Sequence, residues 1–188
     1  MPNWCQNTLL VQGNTEEVQR LLDTVKTDET SLSLGKIITT PEPLANASAP
    51  NRDESSAEEL RKLYGASDWY DWQVGKWGTK WDVEATIYFD SSTQTNGYST
   101  YKAKDEVRVV GMNFDSAWSP PIPAIAELSR QFPKVDIYHS YDESGCDFSG
   151  YNMYRNGTCV EEKEFQSLSS IRMFIEPENE IFDYFPQE

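Results

Sequence analysis

Trp77-Gly78-Thr79-Lys80-Trp81-Asp82 sets two tryptophans, a lysine and an aspartate within six positions, and Trp118 follows in Ala117-Trp118-Ser119-Pro120-Pro121. Two readings follow from these residue types. Indole rings stack on a base, a nucleotide or a sugar, with Lys80 and Asp82 supplying polar contacts; Trp77, Lys80, Trp81, Asp82 and Trp118 are then a ligand site. Alternatively Trp77, Trp81 and Trp118 wall a junction in the core, Gly78 permits a turn, and Asp82 or Thr79 caps backbone amides. Four of the six tryptophans fall between Asp68 and Asp82. Such a concentration of large apolar rings needs either a ligand or a core.

No catalytic constellation stands beside this cluster. Cys5 as a nucleophile would need a base, and the single histidine, His139, lies far away in sequence. One cysteine and one histidine make a weak signal for a catalytic pair; a buried cysteine and a histidine on an exposed sheet face are the plainer expectation. Asp142, Glu143 and Asp147 cluster in a turn, where acids usually face solvent, and no calcium-loop spacing accompanies them. There is no GxxxxGK[ST], GxGxxG or HExxH. No catalytic residue, metal ligand set or cofactor is therefore expected.

The chain has 188 residues and a net charge of −15, from 31 acidic against 16 basic side chains. Lysine and arginine neutralise phosphates, so direct nucleic-acid binding is disfavoured, as is an anionic membrane surface. Lys102, Lys104 and Arg108 form one modest basic strip, and Tyr138, Tyr141, Tyr151 and Tyr154 offer rings with few cations beside them. The acidity either keeps the protein soluble or attracts a basic partner. Three cysteines, Cys5, Cys146 and Cys159, show no CxxC spacing, which argues against a disulfide framework or a zinc knuckle. The N-terminus lacks a basic region and a long apolar stretch, and no apolar run reaches the roughly 18 residues of a membrane span. A reducing cytoplasm is the expected location, where sequons at Asn46 and Asn156 have no consequence.

The elements that must position these residues are legible from periodicity. Asn7 to Gly13 reads as a first strand, and Asn14 or Thr15 caps a helix whose stripe is Val18, Leu21, Leu22 and Val25. Leu32, Leu34, Ile37 and Ile38 make a short extended segment, followed by a proline-rich loop. Ser55 or Ser56 opens a helix stopped at Gly65. Asp68 caps another, broken at Gly75 or Gly78.

Val83 to Phe89 alternates as a strand, with Val83, Ala85, Ile87 and Phe89 on one face. A turn at Asn96-Gly97 joins it to a second strand, Glu106 to Phe114. Pro120, Pro121 and Pro123 open a helix ended by Pro133. Val135 to Tyr141 and Cys146 to Arg155 are further strands, and Asn156-Gly157 turns into Thr158 to Glu161. Strand, helix, strand, strand, helix, strand is the βαββαβ order of an α+β, ferredoxin-like sandwich. A helical insertion occupies about residues 27–80, and extra strands follow at the C-terminal side. The main domain is read as 1–160. Residues 161–188, with eight acidic and two basic residues among aromatic ones, form an extension docked on the body or an interaction peptide.

Pro2-Asn3-Trp4-Cys5-Gln6-Asn7, Trp77 to Asp82 and Phe114-Asp115-Ser116-Ala117-Trp118-Ser119-Pro120-Pro121 together resemble the YubB-type ferredoxin-like domain family of phage and conjugative-plasmid proteins. The resemblance covers about residues 2–155 and leaves the acidic tail outside. It implies the same fold with an insertion, a mobile-element protein in a bacterial cytoplasm, and no established activity. An iron–sulfur cluster is not implied, since that would need about four cysteine ligands. The resulting expectation is a non-enzymatic acidic module engaging a basic host protein, such as a nucleic-acid-handling defence or restriction component. The alternative is a small-ligand or nucleotide-binding domain, conceivably an enzyme, using Trp77, Trp81 and Trp118.

Overall fold

The computed structural model of the chain describes residues 3–93 and 107–165. The expected turn at Asn96-Gly97, Lys102, Lys104 and residues 166–188 lie outside the described residues. In chain order the elements are β1 (Trp4–Asn14), α1 (Thr15–Val25), α2 (Leu34–Ile37), α3 (Glu42–Ala45), α4 (Glu54–Tyr64), α5 (Trp69–Trp77), β2 (Thr86–Asp90), β3 (Val107–Ala117), α6 (Ile122–Gln131), β4 (Val135–Glu143), β5 (Phe148–Arg155) and β6 (Thr158–Phe165).

The strands form one sheet in the order β2-β3-β1-β4-β5-β6, antiparallel at every pairing. Its first four strands, β2-β3-β1-β4, have the ferredoxin-like arrangement, with β1 central between β3 and β4. The α+β fold expected from the sequence is therefore the fold observed. β5 and β6 continue the sheet as a meander. Asn156 and Gly157 both take positive φ (50° and 74°) in the turn between them, as a tight hairpin requires. β6 runs through the boundary drawn at residue 160.

α1 begins where Asn14 Oδ1 accepts the Glu16 N–H at 2.9 Å, with Glu16 and Glu17 at the positive end of the helix dipole. Its stripe of Val18, Leu21, Leu22 and Val25 packs with Ile125 and Leu128 of α6 against one face of the sheet. Leu9 and Val11 of β1, Val110, Met112 and Phe114 of β3, and Val135 and Ile137 of β4 supply that face. The inserted helices join the same core through Leu34, Leu44, Leu60, Trp72 and Trp77. No helix among the described residues is long and apolar enough to cross a membrane.

Several expected elements differ. Within the stretch expected as a proline-rich loop, Glu42–Ala45 forms one turn of helix behind Pro41. The next helix starts at Glu54 and not at Ser55 or Ser56, because Asp53 is the cap, its Oδ1 accepting from Ser55 N (3.1 Å) and Ser56 N (3.3 Å). Leu34–Ile37 is one turn of helix and not an extended segment, because Asp82 reaches its N-terminus from the far side of the insertion. The strand after the insertion starts at Thr86 and not at Val83. Ala85 is tied instead to the α1–α2 loop, its N–H donating to Thr30 Oγ1 at 2.7 Å and its carbonyl accepting from Ser31 N at 3.2 Å. Held there, Val83 and Ala85 are buried while Ile87, in the strand, is exposed, and a bulge between Ile87 and Phe89 breaks the alternation further on.

Candidate functional site

Three loops meet at the end of the sheet where β1 begins and β3 ends. Trp4 is paired with Ala117 in the β1–β3 register, and the Trp118 N–H donates to Asn3 O at 3.0 Å. Thr79 Oγ1 donates to Ala117 O at 2.8 Å, and Ser119 Oγ donates to Gly78 O at 2.5 Å. Gly78 ends α5 in the left-handed region (φ +89°). A Cβ there would stand 2.6 Å from Pro123 Cδ and 3.0 Å from Pro120 O. The α5 terminus therefore packs directly on the Pro120–Pro123 corner, and the residues that follow it are delivered beside β1.

The five residues singled out from the sequence divide here. Trp77 is 3% exposed, stands edge-on to Trp72 at 6.3 Å, and donates its indole N–H to Ile38 O at 2.8 Å. It is a core wall. The Asp82 carboxylate accepts from Leu34 N (2.6 Å), Ser33 Oγ (2.6 Å), Val83 N (2.8 Å) and Gly35 N (3.3 Å). It is a helix cap reaching across the insertion.

Trp81 and Trp118 are 40% and 48% exposed. Trp4, 49% exposed, joins them with its ring centroid 6.1 Å from that of Trp81. Lys80 Nζ lies 3.8 Å from the centroid of Trp81 and 5.7 Å from that of Trp118, inside cation–π range of both. Trp118 holds φ at +74°, a left-handed conformation that is rare and costly for a bulky side chain. The bond from Ser116 Oγ to Ser119 O (2.8 Å), with that from Trp118 N to Asn3 O, keeps it there. Strain of this kind persists only where the surrounding contacts over-determine the backbone.

Behind the patch, on the helix-facing side of the sheet, runs a row of buried polar groups. Asn7 Nδ2 donates to Ser116 Oγ (2.9 Å) and Cys5 O (2.8 Å), which leaves Asn7 Oδ1 to face His139 Nε2 at 3.0 Å. With Nδ2 committed as the donor, Oδ1 must accept, so His139 carries its proton on Nε2. His139 is wholly buried and not on an exposed sheet face, and burial drives its pKa down to about 3. Burial likewise pushes the Cys5 thiol up to about 12, against the bonds to Ser116 and the Asp142 backbone that lower it. Neither group is activated, and the histidine is spent on Asn7. Glu143, expected at the surface, is 1% exposed because it folds back to accept the N–H groups of Gly145 (2.9 Å) and Cys146 (2.6 Å).

The remaining sequence features are placed as follows. Tyr138 and Tyr151 stack on each other at 5.5 Å on one face of the sheet, while Tyr141 and Tyr154 point to the other, so the four rings form no common platform. Arg108 is held by Asp90 (3.0 and 2.6 Å) and Gln19 (2.6 Å). Among the described residues no three His, Cys, Asp or Glu side chains are grouped to hold a metal ion.

Residues 97–184 match the family model described as the ferredoxin-like domain in Api92-like protein. The uncharacterised protein YubB of Escherichia coli K12 is 28% identical over 100 residues, a match that takes in 53% of this chain and 59% of YubB. The crystal structure of the protein Api92 from Yersinia pseudotuberculosis aligns over 88% of this chain and 98% of its own, at 14% identity and a TM-score of 0.48. This chain is thus similar to the YubB and Api92-like proteins, with the family match confined to residues 97–184. The family match runs to residue 184, so the acidic tail, placed outside the resemblance from the sequence, lies largely within it.

In this chain the three stretches that carry the resemblance converge in space, and each contributes one exposed indole: Trp4, Trp81 and Trp118. Sequence reasoning included Trp81, Lys80 and Trp118 but passed over Trp4. The signal was present, since Trp4 sits in the first of those stretches and is apolar at the start of a strand whose next residue, Cys5, points to the core.

Proposed function

We propose that this chain is a non-enzymatic binding module that takes a basic protein partner on the Trp4–Trp81–Trp118 face. The observation that carries this reading is the convergence of three half-exposed indoles from three separate segments on one surface, one of them on a strained backbone. Grouped exposed tryptophans mark contact surfaces, where each ring supplies a large anchor at little entropic cost. The charge of −15 selects the partner: basic proteins are drawn in, and arginine or lysine on indole faces adds about 0.5–2 kcal/mol per contact. Proteins that handle nucleic acid carry such basic faces, and a host defence or restriction component is one partner of this kind.

A polyarginine peptide and a mononucleotide, each titrated against intrinsic tryptophan fluorescence, separate this reading from small-ligand binding. The expected result is a saturable response to the peptide that weakens as salt is raised and is lost in a W81A/W118A double variant. A response to the nucleotide with none to the peptide overturns it in favour of a stacking site for small ligands.

A further inference from the structure

Lys80 is the cation of the tryptophan surface, and among the described residues rings alone hold it. Its Nζ lies 3.8 Å from the Trp81 centroid and 5.7 Å from that of Trp118. Trp4 stands 6.1 Å from Trp81, completing an aromatic surface on which the ammonium sits. Of the described basic side chains, Arg20, Lys26, Arg108, Arg130, Lys134 and Arg155 make ion pairs, whereas Lys36, Arg52, Arg61, Lys62, Lys76 and Lys80 make none among the described residues. What sets Lys80 apart in that second group is that its ammonium lies on ring faces. Asp82, the carboxylate two positions on, is committed to the N-terminus of α2 and to Ser33.

We propose that Lys80 is an internal stand-in for a partner's arginine. This rests on the reading that the tryptophan face binds a basic partner. The ammonium occupies the indole surface while the protein is free, and a guanidinium of the bound segment takes its place as Lys80 swings into water. The exchange favours the newcomer for three reasons. A guanidinium is planar and less strongly hydrated than an ammonium, so it lies flat on an indole and can span two rings. Lys80 has a flexible four-carbon stem that lets the head leave while its methylenes stay near the rings. A chain of charge −15 also lowers the energy of an arriving cation more than it resists the release of one already tethered. The free protein thus keeps its rings covered, which limits adhesion to apolar surfaces, and yields them to a cation that stacks better.

The test is affinity for a polyarginine peptide, measured by fluorescence or calorimetry on the full chain, for wild type, K80Q, K80R and K76Q. Lys76 is an exposed lysine near the end of α5, one turn away in sequence, and K76Q controls for loss of charge alone. The expected result is that K80Q binds about two- to five-fold more tightly than wild type. K80R, whose own guanidinium stacks in place, binds more weakly than wild type, and K76Q shifts affinity by less than K80Q. Weaker binding by K80Q makes Lys80 a direct contact and overturns the proposal. Equal gains in K80Q and K76Q, with K80R unchanged, reduce the effect to net charge and overturn it too. If wild type itself does not bind the peptide, the parent reading falls and this one with it. If wild type binds and K80Q is no tighter, only the stand-in falls.

Discussion

Acidifying the protein from about pH 7 to about pH 4.5 perturbs one histidine, because His139 is the only one in the chain. It is fully buried, its Nε2–H donates to Asn7 Oδ1, and its Nδ1 has no hydrogen-bond partner among the described residues. Burial sets its native pKa at about 3, against an ordinary value of 6.5. Across this window the unfolded chain takes up a proton, half of it by pH 6.5, that the native chain does not. Stability must fall as the pH falls, approaching about 1.4 kcal/mol per unit once the pH is below 6.5. Integrated over the window, the loss is about 2.5 kcal/mol. The carboxylates of Glu17 and Asp23, held low by Arg20 and Lys26, lose their contribution only in more acid solution. Asp136, raised by burial, titrates in the opposite sense. Urea denaturation of wild type and H139Q at both pH values isolates the histidine, since the glutamine amide can still donate to Asn7 and every carboxylate is common to both. Wild type is expected to lose about 2.5 kcal/mol more than H139Q over the window. Equal losses in the two proteins would show that His139 titrates normally, and the buried polar row would be wrongly drawn.

Three substitutions probe the frame around the patch. Gly78→Ala forces a Cβ to within 2.6 Å of Pro123 Cδ on a left-handed backbone, and is expected to cost about 2–4 kcal/mol in denaturant titrations. Asp82→Ala removes the cap shared by Leu34 and Gly35 and should cost about 1–2 kcal/mol, with Asp82→Asn losing less in the same titrations. Trp118→Gly relieves a left-handed penalty of about 1–2 kcal/mol while giving up a half-exposed ring and adding unfolded-state entropy, so its stability should stay within about 1 kcal/mol of wild type. Its affinity for polyarginine should nevertheless drop about tenfold, read by fluorescence titration, which separates binding from folding at that position.

Most of the fold was legible because it rests on local patterns. The stripe of Val18, Leu21, Leu22 and Val25, the caps at Asn14 and Asp68, and the proline-flanked α6 all depend on residues within a turn of one another. Apart from the short α3 and the α4 cap at Asp53, which are local, what failed depended on partners distant in sequence. The turn of helix at Leu34 is set by a carboxylate 48 positions away, and the late start of β2 by Thr30, 55 positions away. His139 and Glu143 have types that favour the surface. They are buried because Asn7, 132 positions before His139, and a folded-back turn satisfy them. The candidate site was half legible for the same reason. Residue type and spacing pointed to Trp81, Lys80 and Trp118, but could not show that Trp77 and Asp82 turn inward while Trp4 arrives from the first strand.

The most direct measurement of the binding face is an NMR titration that follows the six indole N–H resonances, one per tryptophan, as polyarginine is added. Trp4, Trp81 and Trp118 are expected to shift together along one saturation curve, while the buried Trp72 and Trp77 stay in place. If the peptide binds and these three resonances do not move, basic partners are held elsewhere on the acidic surface, and the tryptophan face is not the site.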